Sequence, residues 1–128
     1  MILLDTHAWI WWSAESDKLS QRAAERIDAA DGLGVSVLSC WEVGMLVGKG
    51  RLSFNVGVHQ WINDALQRPK VRLIPLTPAI AVDATLLPST APGDPIDRMI
   101  IASCQSLGVP LVSKDEEIRK AKLVDVIW

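Results

Sequence analysis

The chain has 128 residues, 49% hydrophobic and 22% charged, which is typical of one globular domain spanning residues 1–128. Thirteen basic and fifteen acidic residues give a net charge of −2, which argues against a broad basic surface for nucleic acid, although clustered carboxylates would hide basic patches in this sum. Two distant cysteines, Cys40 and Cys104, predict reduced thiols and a cytoplasmic location, and only two histidines make a zinc site a poor fit. We expect no membrane association, because the apolar start lacks basic residues and carries Asp5.

Strands and helices are expected to alternate along the first half of the chain. A buried strand at Ile2–Leu4 is followed by a helix at Thr6–Ala14 and a second helix at Ser20–Ala30, with Ser20 as N-cap. After a turn, the pattern predicts a strand at Gly34–Leu38 and a helix from Ser39 to about Val47.

The second half continues the alternation. Its expected elements are a helix at Gly57–Gln67, a strand at Val71–Leu76, a helix at Pro78–Leu86, a loop at Leu87–Gly93, a helix from Asp94 to Leu107, a strand at Val109–Val112, a helix at Asp115–Lys122 and a strand at Val124–Trp128. This order predicts an α/β fold, a single domain whose central, mostly parallel sheet is flanked by helices on both faces.

Four acidic residues lie where this fold would bring them together. Asp5 ends the first strand, Glu42 lies in the first turn of the helix after the second strand, Asp97 lies in the first turn of the longest helix, and Asp115 follows a late strand. Ligands of open α/β sheets bind at the carboxyl ends of the strands. We therefore expect the four acids to converge at one edge, although up to 110 positions separate them.

Clustered carboxylates repel one another and raise each other's pKa unless a cation is present. At about 4 Å two unit charges repel by roughly 4 kcal/mol at an effective dielectric of about 20. Such a cluster favours Mg²⁺ or Mn²⁺, which are hard cations that prefer oxygen ligands. A metal held in this way can position a water, lower its pKa and stabilise charge that develops on a phosphodiester.

Most of these acids also have a purely structural interpretation. Ser39 to Glu42 fits a capping box, Asp97 fits a first-turn acid after an N-cap, and Asp115 fits a helix cap. Asp5 is harder to explain, because a lone carboxylate after a buried strand is costly unless something charged meets it. Capping and metal binding are compatible, since a first-turn acid points toward the same edge of the sheet.

Four segments carry a family resemblance: LLDTHAWIW from Leu3, SCWE from Ser39, DPIDRMIIASC from Asp94 and LVSKDEEI from Leu111. In this order, and over essentially the whole chain, they resemble the PIN-domain nucleases, particularly the VapC-type toxins of type II toxin–antitoxin pairs. The resemblance implies a PIN-like fold, Mg²⁺- or Mn²⁺-dependent endonucleolytic cleavage of RNA, a cognate antitoxin protein as partner, and a homodimer.

The resemblance also implies roles for individual acids. The implied catalytic residues are Asp5, Glu42, Asp97 and Asp115, and the implied metal ligands are Asp5, Asp97 and Asp115. Asp97 is preferred to Asp94 because the family's third acid precedes an apolar run, which leaves Asp94 as an outer contributor or only an N-cap. Thr6 and Ser113 keep the hydroxyl groups that the family has after its first acid and before its fourth.

The amino-terminal helix carries two tryptophans, Trp9 and Trp11, whose side chains point roughly 200° apart. One core cannot bury both, so we expect Trp9 in the core and Trp11 at a contact with a protein partner. Packing of Trp11 beneath a neighbouring loop is the alternative. Gly44 and Gly48, four residues apart, would let another backbone come close, within the chain or in a partner.

Several other polar residues have open roles. His7 is expected to be structural, since a metal-activated water needs no histidine as general base. Arg98 is expected in an ion pair rather than on a phosphate. Lys49, Arg51 and Lys114 could border the acidic edge and contact phosphate.

Other classes of protein share some of these features. A phosphoacceptor receiver module shares the length, the α/β sheet and an acidic Mg²⁺ pocket, but it needs an acceptor Asp at the end of a central strand, and Val71–Leu76 ends without one. It also predicts paired acids early in the chain, whereas Asp5 stands alone. A PIN nuclease that acts on DNA or in RNA processing remains open, and four intact acids argue against an inactive PIN-like scaffold.

Overall fold

The computed structural model describes residues 1–128. The strands are β1 (Ile2–Leu4), β2 (Leu33–Ser36), β3 (Val71–Ile74), β4 (Leu111–Val112) and β5 (Val126–Ile127). The helices are α1 (Thr6–Ser13), α2 (Gln21–Ala29), α3 (Val37–Gly48), α4 (Val58–Leu66), α5 (Pro78–Thr85), α6 (Pro95–Leu107) and α7 (Glu116–Ala121). None of these helices is both long and apolar enough to cross a membrane.

All five strands are parallel and form one sheet in the order β3-β2-β1-β4-β5. The chain adds β2 and β3 outward on one side of β1, then returns to add β4 and β5 on the other side. The direction of growth thus reverses beside β1, and such a switch point is where open α/β sheets bind their ligands. The register pairs Leu4 with both Val35 and Val112, so the residues that follow these three strands lie side by side.

Alternate side chains of the strands serve two hydrophobic cores. Ile2 and Leu4 point into one core with residues of α1, α2, α3 and α4, while Leu3 points into the other with residues of α6 and α7. A smaller cluster joins α5 to α6. Helices therefore cover both faces of the sheet, and the predicted fold class is confirmed.

Trp9 lies in the first of these cores, fully buried, as its position on α1 predicted. Its ring meets Trp61 edge to face, with centroids 5.1 Å apart, and Trp61 stacks in turn on Phe54 at 4.3 Å. Aromatic pairs in these geometries stabilise a core by about 0.5–1.5 kcal/mol beyond the area that they bury. These contacts anchor α1 and α4 to the same face of the sheet.

The predicted boundary between the second strand and the helix after it is wrong. Val37 and Leu38 are apolar and extend the strand pattern, but the Ser36 side chain accepts a hydrogen bond from the Leu38 N–H at 3.1 Å and caps α3. The helix therefore begins at Val37, two residues earlier than predicted. Ser39 lies inside the helix and does not cap it, and Glu42 lies in the second turn instead of the first.

Three later strands are shorter than the sequence predicted, and among them β5 spans Val126–Ile127 instead of Val124–Trp128. Pro75 has no N–H to donate to the ladder, so β3 ends at Ile74 rather than Leu76. Pro110 has the same effect before β4, which begins at Leu111 rather than Val109. The other predicted helices are present within one or two residues, including the ends at Ser20 and Gly108, where Gly108 adopts the left-handed conformation of a C-cap.

Gly34 is the point of closest packing between β2 and its neighbours. A Cβ at this position would lie 2.7 Å from Leu3 Cδ1 and 3.2 Å from Ile74 Cγ1, and both of those side chains are buried. Because an added methyl would force these buried side chains to shift, Gly34→Ala should lower the free energy of unfolding by roughly 1–3 kcal/mol. Urea unfolding of the purified variant measures this.

Gly44→Ala is the matched control. A Cβ at Gly44 meets no atom within 4 Å, and the residue lies within α3, where Ala is the better helix former by up to about 1 kcal/mol. The control should therefore be neutral or stabilising. Equal unfolding midpoints for the two variants would contradict the close contact at Gly34.

Candidate functional site

Asp5 lies at the carboxyl end of the central strand and is only 4% exposed. Its Oδ1 accepts a hydrogen bond from the Thr6 N–H at 2.9 Å, which caps α1, and its Oδ2 accepts a hydrogen bond from the Ser113 hydroxyl at 2.7 Å. Two donors thus compensate for the burial of this charge, which the sequence alone left unexplained. The Ser113 bond also joins the ends of β1 and β4 at the switch point.

Glu42 reaches the same edge from α3. The Thr6 hydroxyl donates a hydrogen bond to Glu42 Oε1, and the hydroxyls of Thr6 and Ser39 are hydrogen-bonded at 2.9 Å. Ser39 and Glu42 are three residues apart inside the helix and therefore share a face. This geometry excludes the capping-box interpretation and places both side chains toward α1.

Asp97 projects from the first turn of α6, whose N-cap is Asp94 through a 3.0 Å hydrogen bond from the Asp97 N–H. The Asp97 carboxylate is half-buried and accepts no hydrogen bond in the structure. Burial raises the pKa of Asp97 from its ordinary value of 3.8 to about 7. Negative charges add to this shift, and they come from Asp5, Asp94, Asp115 and Glu42.

The pKa of Glu42 is also raised, chiefly by burial, with further contributions from the charges of Asp5 and Asp94. The hydrogen bond that Thr6 donates opposes this shift, because it stabilises the carboxylate. The site residues expected from the sequence therefore occupy one electrostatic cluster. Asp94 belongs to it as well, in addition to capping α6.

Asp115 enters the cluster from the loop after β4. Its Oδ1 accepts a hydrogen bond from the Ile118 N–H at 3.0 Å and so caps α7, as the structural interpretation predicted. Its own N–H donates to Ser113 Oγ at 3.0 Å. Ser113 thereby holds two of the acids, Asp5 through its hydroxyl hydrogen and Asp115 through its oxygen.

The carboxylates do not form a ready coordination sphere. No three His, Cys, Asp or Glu side chains in the structure come close enough together to hold a metal ion. Asp5, Glu42 and Asp115 each face a hydrogen-bond donor of the chain, while Asp97 has none. The donor set still suits a hard divalent cation, because it consists of carboxylate oxygens at one edge and includes a carboxylate with no other partner. Binding of such a cation requires some of these side chains to rotate.

His7 has the structural role that was expected of it. Its Nε2 accepts a hydrogen bond from the Lys114 N–H at 3.0 Å, which fixes the imidazole against the loop after β4. Its Nδ1 lies 3.9 Å from Asp5 Oδ2. The imidazole thus lies between the first acid of the site and the loop that carries the fourth.

The expectation of an ion pair for Arg98 is wrong. Its Nε donates to the Ala84 carbonyl at 3.0 Å and its guanidinium also donates to the Pro92 carbonyl at 3.2 Å, while no carboxylate lies within salt-bridge distance. Arg98 therefore holds the loop before α6 against the end of α5. This fixes the start of the helix that carries Asp97.

The largest cavity, about 590 Å³, lies at the opposite edge of the sheet. The segments that lead into β4 and β5 form its walls, and Arg119 and Lys122 are its only charged residues besides Asp125. It contains no group of acids and none of the residues that the sequence predicted for the site. The chemistry of the side chains, rather than the size of a cavity, identifies the functional edge.

The PIN domain family matches residues 2–123 of the chain. A relative from Mycobacterium tuberculosis, ribonuclease VapC22, is 39% identical over 118 residues, which are 92% of this chain and 89% of the relative. The family match includes all four predicted acids.

Solved structures with the same fold are more distant in sequence. A toxin–antitoxin complex from Klebsiella pneumoniae has a chain with a TM-score of 0.71 and 16% identity, covering 100% of this chain and 97% of that one. The sarcin-ricin loop cleaving toxin VapC20 of Mycobacterium tuberculosis has a TM-score of 0.69 and 16% identity, with both chains fully covered.

The raised pKa of Asp97 predicts a pH-dependent stability of the metal-free protein. Between pH 3.8 and about 7 the folded chain retains a proton that the unfolded chain has released, so the free energy of unfolding falls as the pH rises through this range. Asp97→Asn removes this penalty. In EDTA the variant should melt a few degrees higher than the wild type at pH 8, and the difference should shrink toward pH 5. Calorimetry at both pH values measures it.

Asp83→Asn is the control, because Asp83 is exposed on α5 and does not belong to the cluster. It should melt like the wild type at both pH values. A melting temperature of Asp97→Asn equal to that of the wild type at pH 8 would contradict the charge repulsion at the site.

Proposed function

This chain belongs to the PIN domain family, as its sequence motifs predicted, and we propose that it is a divalent-metal-dependent endoribonuclease and the toxin of a toxin–antitoxin pair. The observation that carries this proposal is the convergence of four acids at the switch point of the sheet, namely Asp5, Glu42, Asp97 and Asp115. The relative that is 39% identical to this chain is a ribonuclease, which supports RNA as the substrate. Membership of the family argues against the phosphoacceptor receiver.

We assign Mg²⁺ or Mn²⁺ to Asp5, Asp97 and Asp115. Asp97 supports this assignment most directly, because its carboxylate has no donor of its own, and burial together with the negative charges around it raises its pKa. When bound, the cation supplies positive charge at the scissile phosphate and lowers the pKa of a water. One edge of the sheet then offers both a cation site and an approach for a phosphodiester.

The chain's own residues prepare this edge for hydrolysis. Ser113 fixes the orientation of Asp5, and Thr6 fixes that of Glu42. A carboxyl group with a raised pKa at the mouth of a site suits proton transfer, so we give Glu42 the role of accepting or returning a proton. Arg98 acts indirectly, because it positions the start of α6 and with it Asp97.

We further propose that a cognate antitoxin covers this edge in the cytoplasm and that the chain forms a homodimer. An Arg or Lys of the antitoxin could pair with the acids where the cation would otherwise lie. A Cβ added at Gly44 or Gly48 on α3 would meet no atom within 4 Å, and the nearby Trp41 side chain is 60% exposed. This face of the helix is therefore open to a partner. Exposed apolar side chains offer a separate surface for a second copy, namely Leu73 on β3, Val82 on α5 and Leu86 directly after α5.

Asp97→Asn tests the catalytic assignment most cleanly. The substitution removes a charge that makes no hydrogen bond, so the fold should survive while cleavage of cellular RNA falls by at least about 100-fold. Asp5→Asn should also abolish cleavage, but it disturbs the hydrogen bond from Ser113 and should cost stability. Gel analysis of RNA fragments with Mg²⁺ measures both variants.

Asp83→Asn should cleave RNA like the wild type, because its carboxylate is exposed on α5 outside the cluster. Undiminished cleavage by Asp97→Asn and by Asp5→Asn, each checked for native circular dichroism, would end the catalytic assignment.

Metal addition should stabilise the folded protein by mass action, since the folded edge gathers the acids and the unfolded chain does not. At a metal concentration 100 times the Kd the gain is about 2.7 kcal/mol. Mg²⁺ or Mn²⁺ should therefore raise the melting temperature of the wild type but much less that of Asp97→Asn, and EDTA should stop cleavage. Full activity in EDTA, or equal metal stabilisation of both proteins, would refute the metal assignment.

A further inference from the structure

A second feature lies next to the acids, on the outer side of α1. It is a shallow, open pocket of about 400 Å³ lined by His7, Trp11, Lys114 and Asp115, which we call the Trp11 pocket. Asp115 belongs to both the pocket and the acidic cluster. Anything that occupies the pocket therefore lies directly beside the proposed site of hydrolysis.

The aromatic wall of the pocket is fixed in place. The Trp11 ring packs against His7, with centroids 5.0 Å apart, and against Trp128 at 5.7 Å. His7 is itself held by the Lys114 N–H. Trp11 is half-buried, so part of its indole is covered by these neighbours and part faces the pocket. A ring held this way loses little conformational entropy when a flat ligand stacks on it.

Two lysine ammonium groups lie over this ring, and a base that stacks on it would displace them toward its phosphates. Lys18 Nζ lies 6.0 Å and Lys114 Nζ 5.8 Å from the centroid of Trp11. Both lysines are exposed, and neither makes a salt bridge, although the chain carries two more acidic than basic residues. Their charges are therefore available to an anionic ligand, and they form a local basic patch that the net charge conceals.

These features match the chemistry of a nucleotide. The pocket offers an aromatic face and two ammonium groups without salt bridges, and it adjoins the acids that we assign to phosphodiester hydrolysis. Bases stack on aromatic side chains once they are unpaired, and Lys side chains contact the phosphates on either side. A base inside a duplex has both faces covered and cannot stack on Trp11. An acidic peptide would satisfy the lysines but need not offer a flat group for the Trp11 ring.

We propose that the Trp11 pocket binds one unpaired base of single-stranded RNA beside the scissile phosphate, with Lys18 and Lys114 on the flanking phosphates. The proposal rests on the endoribonuclease function above and adds to it a base-binding subsite formed by Trp11 and its neighbours. Trp11 is then a substrate-positioning residue and takes no part in the chemical step.

Trp11→Leu tests the stacking contact. Fluorescence anisotropy in EDTA, with a short labelled oligoribonucleotide, should show about 10-fold weaker binding than the wild type, whereas Trp11→Phe should retain most of the affinity. A duplex of the same sequence should bind weakly to all three proteins. In Mg²⁺ the loss should appear as a raised KM with little change in kcat.

Lys114→Gln tests the charge of the pocket while keeping the Trp11 ring. It should reduce the slope of log affinity against log salt by about 0.7 for single-stranded RNA. Trp12→Leu is the matched control, because Trp12 lies on the same helix but its ring is covered by the Arg68 guanidinium at 4.1 Å. It should lower the melting temperature without affecting RNA affinity.

The outcomes separate this proposal from the one on which it rests. If Trp11→Leu and Lys114→Gln bind RNA like the wild type while the wild type still cleaves, the pocket assignment is wrong and the nuclease assignment stands. If the wild type cleaves no RNA but Trp11→Leu loses single-strand binding, the nuclease assignment is wrong and the pocket assignment stands. A Trp11→Leu protein that binds RNA normally but no longer binds its antitoxin would assign the pocket to the protein partner and overturn the proposal.

Discussion

The hydrogen bond from the Ser113 hydroxyl to Asp5 joins residues 108 positions apart and is the contact on which the functional edge depends. A hydrogen bond to a buried charge contributes about 1.5–3 kcal/mol, and without it one oxygen of Asp5 would lie unpaired beneath the surface. The same serine accepts from the Asp115 N–H and so sets the loop after β4. Asp5 in turn caps α1. This helix carries Thr6 and His7, the core residue Trp9 and the pocket residue Trp11.

The edge is stable without a cation because most of its acids have donors within the chain. Asp5 and Asp115 act as helix caps, and Glu42 receives the Thr6 hydroxyl. Asp97 has no such donor, and burial together with the negative charges of the cluster raises its pKa to about 7. The pKa of Glu42 is raised as well, so these two residues show the electrostatic cost of gathering the acids. Structural capping and the proposed chemistry are therefore two uses of the same side chains.

Much of this arrangement could be predicted from the sequence. The alternation of strands and helices predicts the fold class, and the positions of Asp5, Asp97 and Asp115 after strands or at helix starts predict their convergence. The sequence does not reveal Ser36 as the N-cap of α3, because two apolar residues follow it and continue the strand pattern. The predicted helix therefore starts too late, at Ser39, which is wrongly assigned as the capping residue. The SxxE spacing, read inside a helix, would have put Ser39 and Glu42 on one face.

Other features depend on distances that no local pattern contains. Arg98 bonds to carbonyls of Ala84 and Pro92, and these become acceptors only when α5 packs on α6. The Trp11 pocket requires the first helix, the loop after β4 and Trp128 to meet. The sequence predicted that Trp9 and Trp11 would have different fates, but only the assembled structure shows lysines around the second ring.

The strand order has a consequence for the time at which the site forms during synthesis. β1 is the first strand to be made and β4 the fourth, yet they are neighbours at the switch point, and the partner that completes the environment of Asp5 is residue 113. A growing chain that ends before this residue can pair β1 with β2 but leaves the Asp5 side of the sheet open. The acids therefore assemble only after residue 115 has been translated. A shorter nascent chain has no complete cluster, so the order of translation delays the appearance of the site.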